Sequence, residues 1–386
     1  MGILLASCVI HSKQLVPNKD SFSAPLKILI LFLTLMVLII PISYDPEISK
    51  GRLYDFFRYV LMFYLVGRIV SDFKKYQYYI LILITCTTYL SWTAHSHFTG
   101  GRLDGVGLPD AQEANAFATL IVLMIPMMVA SALIGRIWQK AIALAGILLS
   151  VNAFAMTRSR GAFVGLLMQF IIATILFRKN KHRKKLIFGV VGVVILFGVL
   201  MDDQFKSRLL NLQKNVLEGE AAGVSAGRVE IWKYGLNMIS DYPLGVGGGG
   251  FRALSPQYVP KELLSRTYGE IEAHNAYLQV LVEEGWIGMA IYLTFIFSII
   301  YTMLKVLSMK DMIADKSDGK AVTFHAYMLI ISLFGFWAAS FFGNRIYFEG
   351  YYLVAALAPA VLKICRNISI SENIEEHSLT KNNLPR

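Results

Sequence analysis

The sequence has few charged residues and long stretches without any. Asp, Glu, Lys and Arg make up 16% of its 386 residues, whereas a soluble domain carries about a quarter. Hydrophobic residues make up 55%, and many of them stand in uninterrupted apolar runs. This composition excludes an ordinary soluble domain and predicts an all-α polytopic membrane protein.

Cysteine and internal repetition are also scarce. The three cysteines, Cys8, Cys86 and Cys365, are far apart and lie in or beside apolar segments. This spacing excludes a disulfide framework and a cysteine-based metal site. The chain shows no repeat, low-complexity tract or domain-sized tail, so we expect one integral membrane domain over residues 1–386.

The apolar runs predict about ten transmembrane helices. They lie at about 26–43, 53–70, 76–94, 114–134, 138–157, 161–177, 186–201, 286–304, 324–342 and 346–364. Two of these are less clearly apolar: 53–70 contains Arg58 and Arg68, and 346–364 contains Glu349. The boundaries of all ten are approximate.

Basic residues orient these helices. The densest cluster, RKNKHRKK at 178–185, belongs in the cytoplasm by the positive-inside rule. Alternation then places both termini inside and one large loop, 202–275, outside. That loop holds eight Lys and Arg against nine Asp and Glu. The net charge of +11 therefore indicates loops that face an anionic leaflet, not a nucleic acid partner.

Polar groups are rare in the middles of the helices, which argues against a transporter. Ionisable residues collect at the outer helix ends and in the large loop. This pattern favours an enzyme acting at the outer membrane–water boundary, on a substrate that is partly in lipid.

Three arginines on that side are candidates for binding phosphate. Arg158 and Arg160, in TRSRGAF at 157–163, stand at the start of a predicted helix. Guanidinium groups and helix N-termini both suit phosphate. Arg228 begins a predicted amphipathic helix at 226–240, with Val229, Trp232, Leu236 and Ile239 on one face. Each arginine could instead contact lipid headgroups or solvent.

The segment EAHNAYLQVLVEEGWIG at 272–288 sets His274 before a helix that we expect to begin near Asn275. Glu284 would lie about 15 Å along the axis from His274 at 1.5 Å per residue, so the two cannot form a hydrogen-bonded pair. His274 could be a catalytic base or a structural histidine. The preceding PLGVGGGGFR at 243–252 is not a Walker loop, and we expect a flexible connection there.

A rival site lies in the first outer loop, SYDPEIS. There Asp45 and Glu47 stand two positions apart and could serve catalysis or bind a metal ion. Pro46 between them indicates a turn, and nothing nearby completes a metal cage.

The spacing of these residues resembles the bacterial O-antigen ligase and polymerase superfamily. Its ligases carry His and then Asn, Ser or Gln, nine residues, and Gly-x-x-Gly/Thr/Tyr. The chain reads His274-Asn275, nine residues, and Gly285-Trp-Ile-Gly288. Ser159-Arg160-Gly161, and Arg228 ahead of Trp232, look like the two essential arginine positions. The resemblance covers roughly residues 115–300.

The resemblance implies a fold similar to class C membrane glycosyltransferases, with the large loop in the periplasm. The implied reaction moves a glycan from undecaprenyl diphosphate to a lipid A–core hydroxyl, with inversion and without a metal ion or cofactor. His274 would be the general base, and Arg228 and Arg160 would stabilise the leaving diphosphate. Arg158, Asn275, Tyr277 and Arg252 would contact substrate.

Two alternatives remain open. A polymerase would use the same donor and take another lipid-linked repeat unit as its acceptor. A transporter of the lipid-linked sugar would require polar residues through the midplane. Glu283 and Glu284 are expected to orient neighbouring groups and not to act as catalysts.

Overall fold

The computed structural model describes residues 22–108, 112–178, 224–264, 270–316 and 318–382. Within these ranges the chain is helical and contains no β-strand. Of the ten predicted helices, the one at 186–201 lies outside the described residues. Each of the other nine overlaps a helix of the structure.

We number the α-helices in chain order. They are α1 Ala24–Ile39, α2 Pro46–Ile69, α3 Phe73–His97, α4 Ala114–Ile134, α5 Ile137–Thr157, α6 Arg160–Leu176, α7 Val224–Asp241, α8 Gly250–Tyr258, α9 Lys261–Leu264, α10 Ala276–Ser308, α11 Lys310–Ile313, α12 Gly319–Ala339, α13 Glu349–Ala355 and α14 Leu357–Asn382. Short 3₁₀ turns at Ile40–Ile42 and Ser340–Phe342 extend α1 and α12.

Among the described residues, six helical segments are long and apolar enough to cross a membrane. They are Ala24–Ile42, Ala114–Ile134, Ile137–Thr157, Ala276–Ser308, Gly319–Phe342 and Glu349–Ile370. The chain is therefore a multi-pass membrane protein. α6 is apolar but shorter. α2 and α3 are long enough but are not apolar enough to be counted with these six. The total of about ten spans stays a prediction.

The centre of the bundle is formed by α4 and α12, the most deeply buried of these six segments. α4 packs against α5 and α12, and α12 also packs against α6. α6 and α12 approach closely at Gly165, where a Cβ atom would lie 2.7 Å from the carbonyl oxygen of Gly335. α10 packs against α1 and α14 on another side of the bundle.

The loops at one end of the bundle are joined to one another. The segment after α3 meets the end of α5, where the Leu103 amide donates to the Met156 carbonyl at 3.1 Å. The segment after α1 meets the glycine-rich segment, where the Tyr44 amide donates to the Val246 carbonyl at 2.9 Å. α4, α6, α10 and α13 begin at this end, so side chains at their N-termini are brought together.

Three helices, α7, α8 and α9, form the described part of the predicted loop 202–275. A second apolar cluster, separate from the main core, joins α7, α8 and the first turns of α10. The loop is thus packed onto the bundle at the end where α10 begins.

Candidate functional site

The Ser-Arg-Gly segment fixes the start of α6. The Ser159 hydroxyl accepts a hydrogen bond from the Ala162 amide at 3.3 Å and donates one to Asn115 Oδ1 at 2.9 Å. At Gly161 a Cβ atom would lie 2.4 Å from the Cβ of Phe342, so no larger residue fits there. Ser159 and Gly161 therefore hold the helix start in place, and Arg160 is presented half-buried at its first turn.

α7 is fastened alongside the segment that carries His274. The indole nitrogen of Trp232 donates to the Ala273 carbonyl at 3.1 Å. At Gly235 a Cβ atom would lie 2.8 Å from a methyl group of Leu278, so α7 and α10 are in close contact. Arg228 is half-buried in the second turn of α7, and this packing places it beside His274.

The predicted helix at 226–240 is confirmed, but its predicted apolar face is partly wrong. Val229 and Leu236 are exposed, whereas Ile231, Met238 and Ile239 are buried. The buried face of α7 is rotated from the predicted one because α7 packs against α8 and α10. Helical periodicity alone cannot reveal such a contact.

His274 has an unusual backbone conformation. Its φ of +47° is in the left-handed region, which costs free energy for a residue with a side chain. The next residue, Asn275, caps α10: its Oδ1 accepts from the amides of Tyr277 at 3.0 Å and Leu278 at 3.2 Å. The Trp232 bond before His274 and the Asn275 cap after it together hold the strained residue.

Arginines converge beside Arg228. Burial of its guanidinium, and then the charges of Arg160, Arg102 and Arg345, lower the pKa of Arg228, while Glu113 acts in the opposite direction. The group stays protonated because arginine loses its proton only far above neutral pH. The charges of Arg160, Arg102 and Arg345 therefore all act on Arg228 together with one carboxylate, an excess of positive charge that suits a polyanionic group.

His274 lies within the influence of the same charges. Burial and the nearby Arg228 lower the pKa of His274, and Arg345 adds to this effect. Glu113 and Glu272 oppose the shift. The imidazole is therefore neutral at pH 7, and two carboxylates are close enough to stabilise it when it takes up a proton.

Arg345 and Glu113 were missed by the sequence reasoning. Arg345 is 2% exposed, and its Nη1 lies 2.8 Å from Glu113 Oε1. Burial alone would raise the pKa of Glu113, but the charge and hydrogen bond of Arg345, followed by His274 and Arg102, lower it. The available signal was an arginine, in GNR at 343–345, directly after a predicted span.

Two predicted substrate contacts already have partners within the protein, and a third ends α5. Arg252 forms an ion pair with Glu270, with Nε 2.6 Å from Oε2. The Tyr277 hydroxyl donates to the Trp337 carbonyl at 3.0 Å. Arg158 is half-buried in the left-handed position that ends α5, with φ of +49°. Their roles toward substrate stay predictions.

The glycine-rich segment is packed, and the expectation of a flexible connection is wrong. Its amides at Val246 and Gly247 donate to the carbonyls of Val282 at 3.0 Å and Glu283 at 2.8 Å. α10 is broken at Gly285, whose φ of +68° and ψ of −171° are not helical. The break frees α10 carbonyls for the segment, and glycine is needed there because a Cβ atom would lie 2.4 Å from Leu244.

The two glutamates beside this break are buried, each 2% exposed. Glu283 accepts hydrogen bonds from Gln279 at 3.2 Å and Tyr347 at 3.0 Å. Within the described ranges neither carboxyl oxygen of Glu284 has a hydrogen-bond partner. Glu283 thus holds the side chains of Gln279 and Tyr347, whereas Glu284 binds no polar side chain among the described residues, and the predicted orienting role of both stays a prediction.

The rival acidic pair, Asp45 and Glu47, makes its contacts at the start of α2. Asp45 Oδ1 accepts from the amides of Glu47 and Ile48, each at 3.0 Å, which is an ordinary N-cap. Glu47 forms an exposed ion pair with Lys50 at 2.6 Å. In the part of the chain that the structure describes, no group of three or more His, Cys, Asp or Glu side chains is placed to hold a metal ion.

A known protein family matches the part of the chain that carries most of these residues. Residues 145–293 match the family described as O-antigen ligase. The match supports assignment of the chain to the O-antigen ligase family. The matched range contains Arg160, Arg228, the glycine-rich segment and His274, whereas Glu113 and Arg345 lie outside it.

A curated relative is an uncharacterized protein of Haemophilus influenzae, 26% identical over 221 residues. The alignment covers 53% of this chain and 53% of the relative. The chain therefore spans about half the length of the curated relative it matches. The family match supports an O-antigen ligase- or polymerase-like function.

Proposed function

We propose that the protein is an O-antigen ligase-like glycosyltransferase. It moves a glycan from undecaprenyl diphosphate to a hydroxyl of a lipid A–core sugar, on the periplasmic face of the inner membrane. The observation that carries this proposal is the placement of His274 beside the arginines that surround Arg228, at one end of the bundle. A neutral base next to a concentrated positive charge suits transfer from a lipid diphosphate.

The reaction breaks one bond and forms one. The anomeric carbon–oxygen bond to the diphosphate breaks, and the leaving group takes the electron pair. The acceptor oxygen bonds to the anomeric carbon from the opposite side, so the configuration inverts. Arg228 and Arg160, with Arg158 as an auxiliary, stabilise the negative charge that develops on the diphosphate.

His274 takes the proton of the acceptor hydroxyl. The lowered pKa of His274 keeps the imidazole unprotonated at pH 7, as a base requires. The imidazolium that forms is then stabilised by the carboxylates of Glu113 and Glu272. Asn275 acts here as a positioning residue, since its side-chain oxygen is engaged in the helix cap.

The charge distribution supports a periplasmic site. FKK at 73–75, GRIWQK at 135–140 and the basic segment 305–320 flank the ends of helices opposite the site. The positive-inside rule places that basic end in the cytoplasm. The end that carries His274 then faces the periplasm, where lipid-linked glycans are handled in this family.

Deletion of the gene followed by analysis of the surface glycan tests this function. Loss of a ligase is expected to leave polymerised chains on the lipid carrier, and a plasmid copy of the gene should restore transfer. Single repeat units on finished lipopolysaccharide would instead indicate the polymerase. An unchanged surface glycan would contradict both.

A further inference from the structure

A cavity of about 180 Å³ is lined by Glu272 and Ala273, the two residues that precede His274. Its wall is formed by the first turns of α2, α8 and α10 and by the segment that leads to His274. Six of its charged and amide side chains are Arg52, Arg252, Glu270, Glu272, Gln279 and Glu283. Because Glu272 and Ala273 line it, a ligand in the cavity would lie next to His274 along the chain.

Two amide oxygens in this wall have no hydrogen-bond partner among the described residues. Gln279 is 7% exposed, and its Nε2 donates to Glu283 at 3.2 Å, but its Oε1 is buried and unpaired. Asn344 donates from Nδ2 to Glu272 at 2.5 Å, and its Oδ1 is also buried and unpaired. Leaving such acceptors unsatisfied is costly. The wall is therefore rich in hydrogen-bond acceptors, two of which have no partner among the described residues.

The charges of the wall exclude the diphosphate. Three glutamates stand against two arginines, and both arginines already have acidic partners. Arg252 Nε lies 2.6 Å from Glu270, and Arg52 Nη1 lies 3.7 Å from Asp55. An anion would meet carboxylates here, whereas a neutral ligand rich in hydroxyl groups would meet acceptors.

A sugar has this chemistry. Its hydroxyls donate hydrogen bonds to amide and carboxylate oxygens, and one sugar ring suits a cavity smaller than the roughly 300–1,000 Å³ of pockets for drug-sized ligands. We propose that this cavity is the subsite for the acceptor saccharide, whose hydroxyls bind the amide and carboxylate groups of the wall, Gln279 and Asn344 among them, and which presents a further hydroxyl to His274. The proposal rests on the proposed function, because it assigns the acceptor of that reaction.

Kinetics of Gln279→Met test the subsite. The purified full-length protein in lipid nanodiscs is supplied with lipid-linked glycan and acceptor, and the KM of each is measured. Loss of one hydrogen bond is expected to raise the acceptor KM about tenfold and to leave the donor KM and kcat within about twofold. Gln257→Met, an exposed glutamine on α8, is the control and should change neither KM.

A second variant keeps the subsite testable if Gln279→Met does not fold. Ala253 lines the cavity, and Ala253→Phe would fill it without removing a polar group. It is expected to raise the acceptor KM by a similar factor or more. Unchanged acceptor KM in either folded variant, or an equal rise in donor KM, would overturn the subsite.

Binding without turnover separates the subsite from the function. Saturation-transfer NMR is recorded with deacylated, dephosphorylated core oligosaccharide and, separately, with repeat-unit oligosaccharide. Signals that weaken in Gln279→Met support the subsite even if no transfer is found, and the oligosaccharide that gives them identifies the acceptor. Transfer by the wild type, with signals equal in wild type and variant, would remove the subsite and leave the function standing.

Discussion

His274 combines a strained backbone with a charged neighbourhood, and both arise from residues distant in sequence. Its position depends on Trp232 before it and the Asn275 cap after it. Its protonation depends on Arg228, Glu113 and other groups brought from separate elements. The pattern around His274 predicted a base, but the carboxylates that tune it lie too far along the chain to be recognised from spacing.

The pH profile of transfer tests this neighbourhood. The active form of His274 is unprotonated, and burial and Arg228 lower its pKa, so kcat/KM should fall on the acid side with a midpoint below about 6.5. Glu113 raises that pKa. Glu113→Gln is therefore expected to move the midpoint to lower pH. Glu47→Gln, an exposed carboxylate paired with Lys50, should not move it. A shift to higher pH in Glu113→Gln would contradict the assignment.

Removal of metal ions tests whether transfer depends on the arginines alone or on a metal ion bound by the rival acidic pair. Arg228 and Arg160 supply positive charge at the proposed site, while Asp45 caps α2. Treatment with EDTA, followed by removal of the chelator, is expected to leave the rate of transfer unchanged. Strong inhibition that added magnesium reverses would restore Asp45 and Glu47 as candidates.

At the scale of elements, the break in α10 is the feature that positions the glycine-rich segment. Apolar runs predicted the six segments that are long and apolar enough to cross a membrane, because burial in lipid or in the bundle follows hydrophobic runs directly. They placed a span at 286–304, whereas α10 runs from Ala276 to Ser308 with a break at Gly285. The docking of residues 243–247 onto this break is a contact between distant segments, so the sequence alone suggested a flexible connection.

Gly285→Ala tests the structural role of the break. Its φ of +68° and the 2.4 Å approach to Leu244 are expected to cost more than about 2 kcal/mol, from backbone strain and steric overlap together. The variant should therefore melt at lower temperature in a thermal unfolding assay in detergent. Gly67→Ala is the matched control, because nothing lies within 4 Å of its Cβ position and alanine favours a helix. Equal melting temperatures would show that the break is not needed.

At the scale of the molecule, one end of the bundle gathers the candidate site and the other end is bounded by basic segments. The Ser159–Asn115 and Arg345–Glu113 contacts join the starts of α4 and α6 and the segment after α12. The distribution of lysines and arginines along the sequence predicted the same difference between the two ends, because basic residues that flank transmembrane helices lie mainly on the cytoplasmic side. It did not predict that α7 packs against α10, which depends on side-chain shape.

Cysteine labelling tests the orientation. Ser96, near the end of α3, is exposed at the site end, and Ser308, at the end of α10, is exposed at the opposite end. In intact spheroplasts, a membrane-impermeant maleimide should label Ser96→Cys and leave Ser308→Cys unlabelled until the membrane is opened. Cys8, Cys86 and Cys365 are replaced by alanine in both variants. The reverse labelling would place the site in the cytoplasm.

Joint action of His274 and Arg228 in glycan transfer is what the proposed function requires. Its most direct test is the rate of transfer from undecaprenyl-diphosphate-linked glycan by purified protein in nanodiscs. His274→Ala and Arg228→Ala are each expected to lower the rate by at least about 100-fold. The matched variants His97→Ala and Arg366→Ala, at exposed positions, should retain it. Full activity of the His274 and Arg228 variants, when they are folded in the membrane, would contradict the account.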